Sequence, residues 1–163
     1  MALSIIRTRA RVGIEAPAVT VETHISNGLP ALSIVGLPET AVRDSKDRVR
    51  SALLNAGFTF PQRRVTLNLA PAELPKEGSR FDLAIAVGLL AASGQVDPAS
   101  VADAEFLGEL SLDGHVRPVR GILPAVIAAG RAGRTLFLPE ANRDEAALAS
   151  DGHVIAVDHL LAL

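Results

Sequence analysis

Apolar and polar positions alternate from the start of the chain: Ile6, Ala10 and Val12 interleave with Arg7, Arg9 and Arg11. A period of two predicts a strand, with the three arginines on one face. AVTVETHIS (18–26) reads as a second strand, NGLP (27–30) as a turn and ALSIVG (31–36) as a third strand. The period then lengthens. Val42, Ser45, Val49, Ala52, Leu53 and Ala56 fall on one stripe of a helix predicted over 39–56, with Pro38 and Glu39 at its entry and Gly57 as its C-cap glycine. Arg43 with Asp47, and Asp44 with Arg48, are spaced as i,i+4 ion pairs on its outer surface.

RVTLNLAP (64–71) is predicted as a fourth strand, followed by a polar loop over 72–82 and an almost wholly apolar helix over 82–93. FLGELSL (106–112) and HVRPV (115–119) flank Asp113-Gly114, a hairpin signal. A helix over 122–132, a strand over 135–139, a short helix over 142–149 and a last strand over 153–157 complete the reading. Strands first and mixed units afterwards make an α+β fold, a sheet packed against helices, in one domain spanning 1–163.

At 163 residues the chain has the length of one ordinary domain, enough to bury about 70% of the surface of its extended form. With five Phe and neither Trp nor Tyr, the core must be built from aliphatic side chains. The absence of Cys removes disulfides, thiolate metal sites and cysteine nucleophiles together. No apolar run approaches the roughly 18 residues of a membrane helix, and the first residues are not ordered like a secretory signal, so a cytoplasmic location without membrane partners is expected. The net charge of −2 conceals an asymmetry. Residues 1–64 carry nine Lys and Arg against five Asp and Glu, whereas residues 65–163 carry seven against thirteen. A basic patch in the first third follows if folding gathers those cations.

Motifs with chemistry are few. There is no Gly-x4-Gly-Lys-Ser/Thr phosphate loop, and the four histidines (His24, His115, His153, His159) are never three or four residues apart; neither a metal nor another cofactor is expected in these residues. Lys76 and Ser79 lie three apart in the polar loop, a pair that can serve as base and nucleophile if burial lowers the lysine pKa. The alternative is an ordinary entry into the following helix. Arg7, Arg9 and Arg11 would step about 6.6 Å along a strand, similar to the phosphate spacing of an extended nucleic-acid strand. They equally suit the solvent side of an edge strand, where charge discourages aggregation.

Three long segments, SIVGLPETAVRDSKDRVRSALLNAGF (33–58), LNLAPAELPKEGSRFDLAIAVGLLAASG (67–94) and FLGELSLDGHVRPVRGILPAVIAA (106–129), resemble the opening module of ComM/YifB-type, magnesium-chelatase-like proteins. The resemblance implies a Lon-protease-like fold with a mixed sheet, the fold of the second domain of small-subunit ribosomal protein five. Relative to the Lon peptidases, PKEGSRFD stands here in place of their PKDGPSAG-like loop, so that the serine position falls on Arg80. The stretch VRGILPA places Leu123 at the lysine position. Both halves of the peptidase dyad are replaced, and Arg80 is expected to fill the old cleft paired with Asp82, Glu77 or Glu109.

The resemblance further implies a parent that continues into an AAA+ domain requiring ATP and Mg2+, forms a hexamer and translocates on single-stranded or branched DNA during recombination and natural transformation. For these residues three roles remain open. A DNA-contacting module would grip phosphates through Arg7, Arg9, Arg11, Arg43, Lys46, Arg50, Arg63 and Arg64. An assembly module would contact its own AAA+ domain and neighbouring subunits. A residual enzyme would depend on Lys76 and Ser79.

Overall fold

A computed structural model describes residues 2–36, 38–149 and 152–163. Nine strands and five helices follow in order: β1 (Ala2–Arg9), β2 (Ala18–Ser26), β3 (Ala31–Val35), α1 (Thr40–Arg43), α2 (Ser45–Asn55), β4 (Arg64–Ala70), α3 (Asp82–Ala92), β5 (Ala104–Phe106), β6 (Glu109–Leu110), β7 (Val116–Arg117), α4 (Ile122–Arg131), β8 (Thr135–Pro139), α5 (Arg143–Ala146) and β9 (His153–Val157). Seven strands form one mixed sheet in the order β3-β4-β2-β1-β5-β8-β9, and β6 and β7 form a separate hairpin.

Strict alternation builds the first half of the sheet. Val19, Val21, Thr23 and Ile25 of β2 and Val65, Leu67 and Leu69 of β4 are buried on one face with Ser4, Ile6 and Thr8 of β1. Onto that face pack α2 and α3. Every residue of α3 is buried, which explains its continuous apolar run. Gly88 permits the closest approach: a Cβ there would stand 2.6 Å from Thr23 Oγ1, and the Gly88 carbonyl accepts a 2.8 Å hydrogen bond from Ser4 Oγ. The second half of the sheet is covered on both sides. Phe137 of β8 stacks on Phe106 toward the α3 side, with ring centroids 4.8 Å apart, while Leu136 and Leu138 point the other way into a smaller core with Ile122, Ala125 and Val126 of α4. On the face of β1 opposite α3, Leu3 and Ile5 are 63% and 50% exposed, whereas Arg9 at its far end is buried and reaches the Ala128 carbonyl of α4.

Four sequence expectations need correction. The helix predicted over 39–56 breaks at Asp44 into α1 and α2. There the Ala41 carbonyl, which an unbroken helix would offer to the Ser45 amide, takes a 3.0 Å hydrogen bond from Arg48 Nη2 instead. The buried stripe is as predicted, except that Ala56 is only half-buried. Neither i,i+4 ion pair of that helix forms among the described residues; Arg48 turns inward to Asp82 and so leaves Asp44. The predicted strand 106–112 divides: Phe106 ends β5 in the main sheet, and the Asp113-Gly114 hairpin keeps only two residues per arm.

Candidate functional site

The loop between β4 and α3 is anchored from within. Lys76 is fully buried, and its Nζ donates to the carbonyls of Gly36, at 2.6 Å, and Pro71. Burial lowers its pKa from the usual lysine value. The Lys76 carbonyl accepts the Glu39 amide, and the Glu39 carboxylate in turn accepts the Gly78 amide, so the loop is laced to the entry of α1. Ser79 Oγ donates to the Glu109 carboxylate of the hairpin. The Lys76–Ser79 pair considered from the sequence is therefore not assembled: the lysine points to loop carbonyls and the serine to a glutamate.

Asp82 opens α3 and is fully buried. Its carboxylate accepts from Ser45 Oγ, from Arg48 Nε at 2.7 Å and Nη2 at 3.1 Å, and from the Leu110 amide at 3.0 Å. Burial pushes its pKa above the usual carboxylate value while Arg48 and Ser45 hold it down, and the same hydrogen bond raises Arg48. Four donor atoms from three residues around one carboxylate join α2, α3 and β6.

Arg80 does not form the acidic pair expected of it. Asp82 is engaged by Arg48 and Ser45, Glu109 by Ser79, and Glu77 is exposed. Instead Arg80 is 7% exposed, its Nη1 donates to the Arg120 carbonyl at 3.1 Å, and Nε and Nη2 find no partner among the described residues. Burial, then the neighbouring Arg11, lowers its pKa to about 10. It lines a cleft of about 460 Å³ with Arg11, Glu39, Glu77, Gly78, Ser79, Pro118, Val119 and Arg120. Leu123 is half-buried in the first turn of α4 and is not among the lining residues.

The predicted arginine row is dispersed. The strand ends at Arg9, so Arg11 lies beyond it, in the cleft with Arg80. Arg9 is buried and grips Glu105 with Nε at 2.6 Å and Nη2 at 2.9 Å, and its Nη1 donates to the Ala16 carbonyl. Arg134 adds a 3.2 Å contact to the same carboxylate. Arg7 donates to the Ala102 carbonyl. In place of one cationic strand face there is a buried ion-pair triad, a backbone clasp and a cleft residue.

The other candidate cations fare differently. Lys46 and Arg50, one helical turn apart on α2, line a concavity of about 320 Å³ with Ala31, Asp47, Phe60 and Pro61. The Arg50 guanidinium sits 5.9 Å from the Phe60 ring centroid. Arg63 and Arg64 are exposed outside that lining: the Arg63 carbonyl accepts the Ala31 amide, and Arg64 pairs with Ala31 across β3–β4 on the sheet face away from α2. None of these four cations enters an ion pair among the described residues. Arg43 is exposed at the end of α1, outside the lining.

Sequence spacing also missed His115 and His159, whose rings meet edge to face 4.8 Å apart at the hairpin tip, with Asp113 beside His115. Among the described residues no three His, Cys, Asp or Glu side chains cluster as a metal site would require, and no helix is long and apolar enough to cross a membrane.

Comparison with known proteins fits this architecture. The family model described as subunit ChlI of Mg-chelatase matches residues 21–142. Competence protein ComM of Haemophilus influenzae is 50% identical over 99% of this chain and 32% of its own length, and YifB of Escherichia coli is 48% identical over all of this chain and 32% of its own. The chain thus spans about a third of the length of these curated relatives. A Lon protease of Chloroflexus aurantiacus is 30% identical over 76% of the chain and 16% of its own length, in keeping with the Lon-protease-like α+β fold. Since the family match covers most of its length, the chain belongs to the Mg-chelatase ChlI family, in the group that holds ComM and YifB.

Proposed function

We propose that this chain is the accessory module of a hexameric, ATP-driven DNA translocase that remodels branched recombination intermediates during natural transformation, and that it contributes DNA contacts without catalysis of its own. ATP and Mg2+ belong to the parent's AAA+ domain, which these residues adjoin together with neighbouring subunits. The observation that supports the DNA reading is that Lys46 and Arg50 line one concavity, shared with Asp47, and that these two and Arg63 and Arg64 at the start of β4 enter no ion pair among the described residues. Such cations hold phosphate oxygens without reading bases, so binding is insensitive to sequence and steeply salt-dependent. Phe60 under Arg50 adds the concavity's one aromatic surface, on which a base can stack. Arg9 has no part in this interface, because its guanidinium is held by Glu105.

The test is a salt titration of the domain on fluorescent duplex and single-stranded DNA. Replacing Lys46, Arg50, Arg63 and Arg64 together by Ala is expected to flatten the slope of log K against log salt on duplex by up to about 3.6, roughly 0.9 for each phosphate no longer neutralised. An unchanged slope in a folded variant refutes it. The assembly reading then stands in its place, favoured by the exposed Leu3 and Ile5 on the face of β1 opposite α3.

A further inference from the structure

The cleft beside Arg80 is separate from the concavity at Lys46 and Arg50. Three arginines line it, Arg11, Arg80 and Arg120, against two glutamates, Glu39 and Glu77, and Glu39 already accepts the Gly78 amide. A cation as buried as Arg80 ordinarily has a carboxylate partner, because leaving a charge out of water is costly. Arg80 has only one backbone carbonyl for five donor hydrogens, and two of its nitrogens are unpartnered among the described residues. Burial, and then Arg11, a charge of the same sign, disfavour the Arg80 cation.

The backbone is shaped to bring Arg11 there. Gly121 caps α4 with φ +69°, and a Cβ at that position would stand 2.6 Å from Arg11 Cδ and 2.8 Å from Arg11 Nε. The Arg11 side chain thus lies across a bare glycine on its way to the cleft. Both guanidinium groups line the cleft, and guanidinium groups with spare donors have one chemistry in common, bidentate binding of an oxyanion.

We propose that the cleft between the 76–81 loop and residues 118–121 is an oxyanion site that takes a single phosphate group between Arg80 and Arg11. The phosphate can be free in solution or be the monoester end of a nucleic-acid strand, and both present the same terminal oxygens. Glu39 and Glu77 at the lining limit the site to one such group, since they repel the flanking phosphates of a continuous backbone.

The test uses the 163-residue chain in a phosphate-free buffer of constant ionic strength. Inorganic phosphate is titrated while the amide signals of Ser79, Arg80, Arg120 and Gly121 and the melting temperature are followed. The expected result is saturable binding at one site, with Arg80→Met and Arg11→Gln each weakening it at least tenfold. Arg80→Met should also melt above the parent without phosphate, because a buried unpartnered charge is gone, and should no longer respond to phosphate. Arg11 is exposed, so Arg11→Gln keeps the test decisive if Arg80→Met fails to fold. A 5′-phosphorylated oligonucleotide that competes with phosphate where its 5′-hydroxyl counterpart does not identifies the strand end as the source, and no difference between the two identifies free phosphate. The proposal is overturned if phosphate shifts none of these amides, or stabilises parent and both variants alike. Neither result bears on the Lys46, Arg50, Arg63 and Arg64 interface, which is read by its own titration.

Discussion

Arg9→Ala separates the structural account of the arginine row from a nucleic-acid account. The substitution removes two short contacts, 2.6 and 2.9 Å, from a carboxylate that is 1% exposed, and a donor from the Ala16 carbonyl. Removing one member of a buried pair costs about 3–5 kcal/mol, mostly for the charge left behind. Arg134 still reaches Glu105 at 3.2 Å, which places the loss at the lower end, about 3 kcal/mol. For a domain of this length 1 kcal/mol corresponds to about 2–4 °C, so a fall of about 6–12 °C in Tm is expected. Thermal unfolding followed by circular dichroism measures it, with exposed Arg64→Ala as the control, expected within about 0.5 kcal/mol of the parent. The combination Arg9→Met with Glu105→Leu should regain most of the loss, since apolar groups replace a buried pair at little cost. An Arg9→Ala protein that stays folded and melts within about 2 °C of the parent would mean that the Arg9–Glu105 pair contributes little to stability.

Three further outcomes follow. Burial holds the folded pKa of Lys76 below its unfolded value, so its charged form opposes folding and stability rises with pH through the folded pKa toward the usual lysine value. Urea unfolding across pH 7–10 should show the parent gaining on Lys76→Met, and parallel profiles would exclude this. Gly121→Ala should cost at least about 1 kcal/mol in chemical denaturation, from the left-handed backbone alone and before the clash with Arg11; a neutral effect would mean that the loop relaxes freely. If Arg80 and Leu123 hold the dyad positions, as the resemblance implies, and with no phosphate-loop motif in the sequence, the isolated chain should cleave neither casein nor peptides and should show no micromolar ATP affinity by calorimetry. Peptide turnover lost on Ser79→Ala would restore the enzyme reading.

The elements whose hydrophobic period is unambiguous are legible in the sequence. β2, β8 and β9 appear with the expected bounds, and α3 differs by one residue. Local period says which face of a strand is apolar but not what lies across from a polar side chain. Arg9 and Glu105 are 96 residues apart, and nothing near Arg9 distinguishes a guanidinium that meets a carboxylate from one that meets water. The same holds for Arg48, whose helical neighbour Asp44 is a closer partner in sequence than Asp82 but a poorer one in a folded core. Arg80 stands out by its place in a motif, yet its surroundings do not follow from that place, because two of the three candidate acids are satisfied by other groups that sequence proximity does not reveal. Lys46 and Arg50 are legible as a pair because a helix fixes their spacing, whereas Arg43 leaves the group where that helix breaks.

The junction between β1 and β5 has an implication for how the molecule comes apart. β1 pairs with β2 over eight residues, but with β5 in only the single Arg7–Glu105 step of the ladder. What fastens the two halves of the sheet there is largely side chains: Thr8 Oγ1 to the Phe106 carbonyl at 2.6 Å, Arg7 to Ala102, and Arg9 to Glu105. Amide exchange should accordingly divide the sheet into two cooperative blocks, one on either side of this seam. Strand ladders resist single substitutions because their bonds belong to the backbone. The polar part of the seam, made of three side chains beside the core that α3 lays across both halves, can be loosened one residue at a time, so the coupling between the blocks is a quantity that mutation can set.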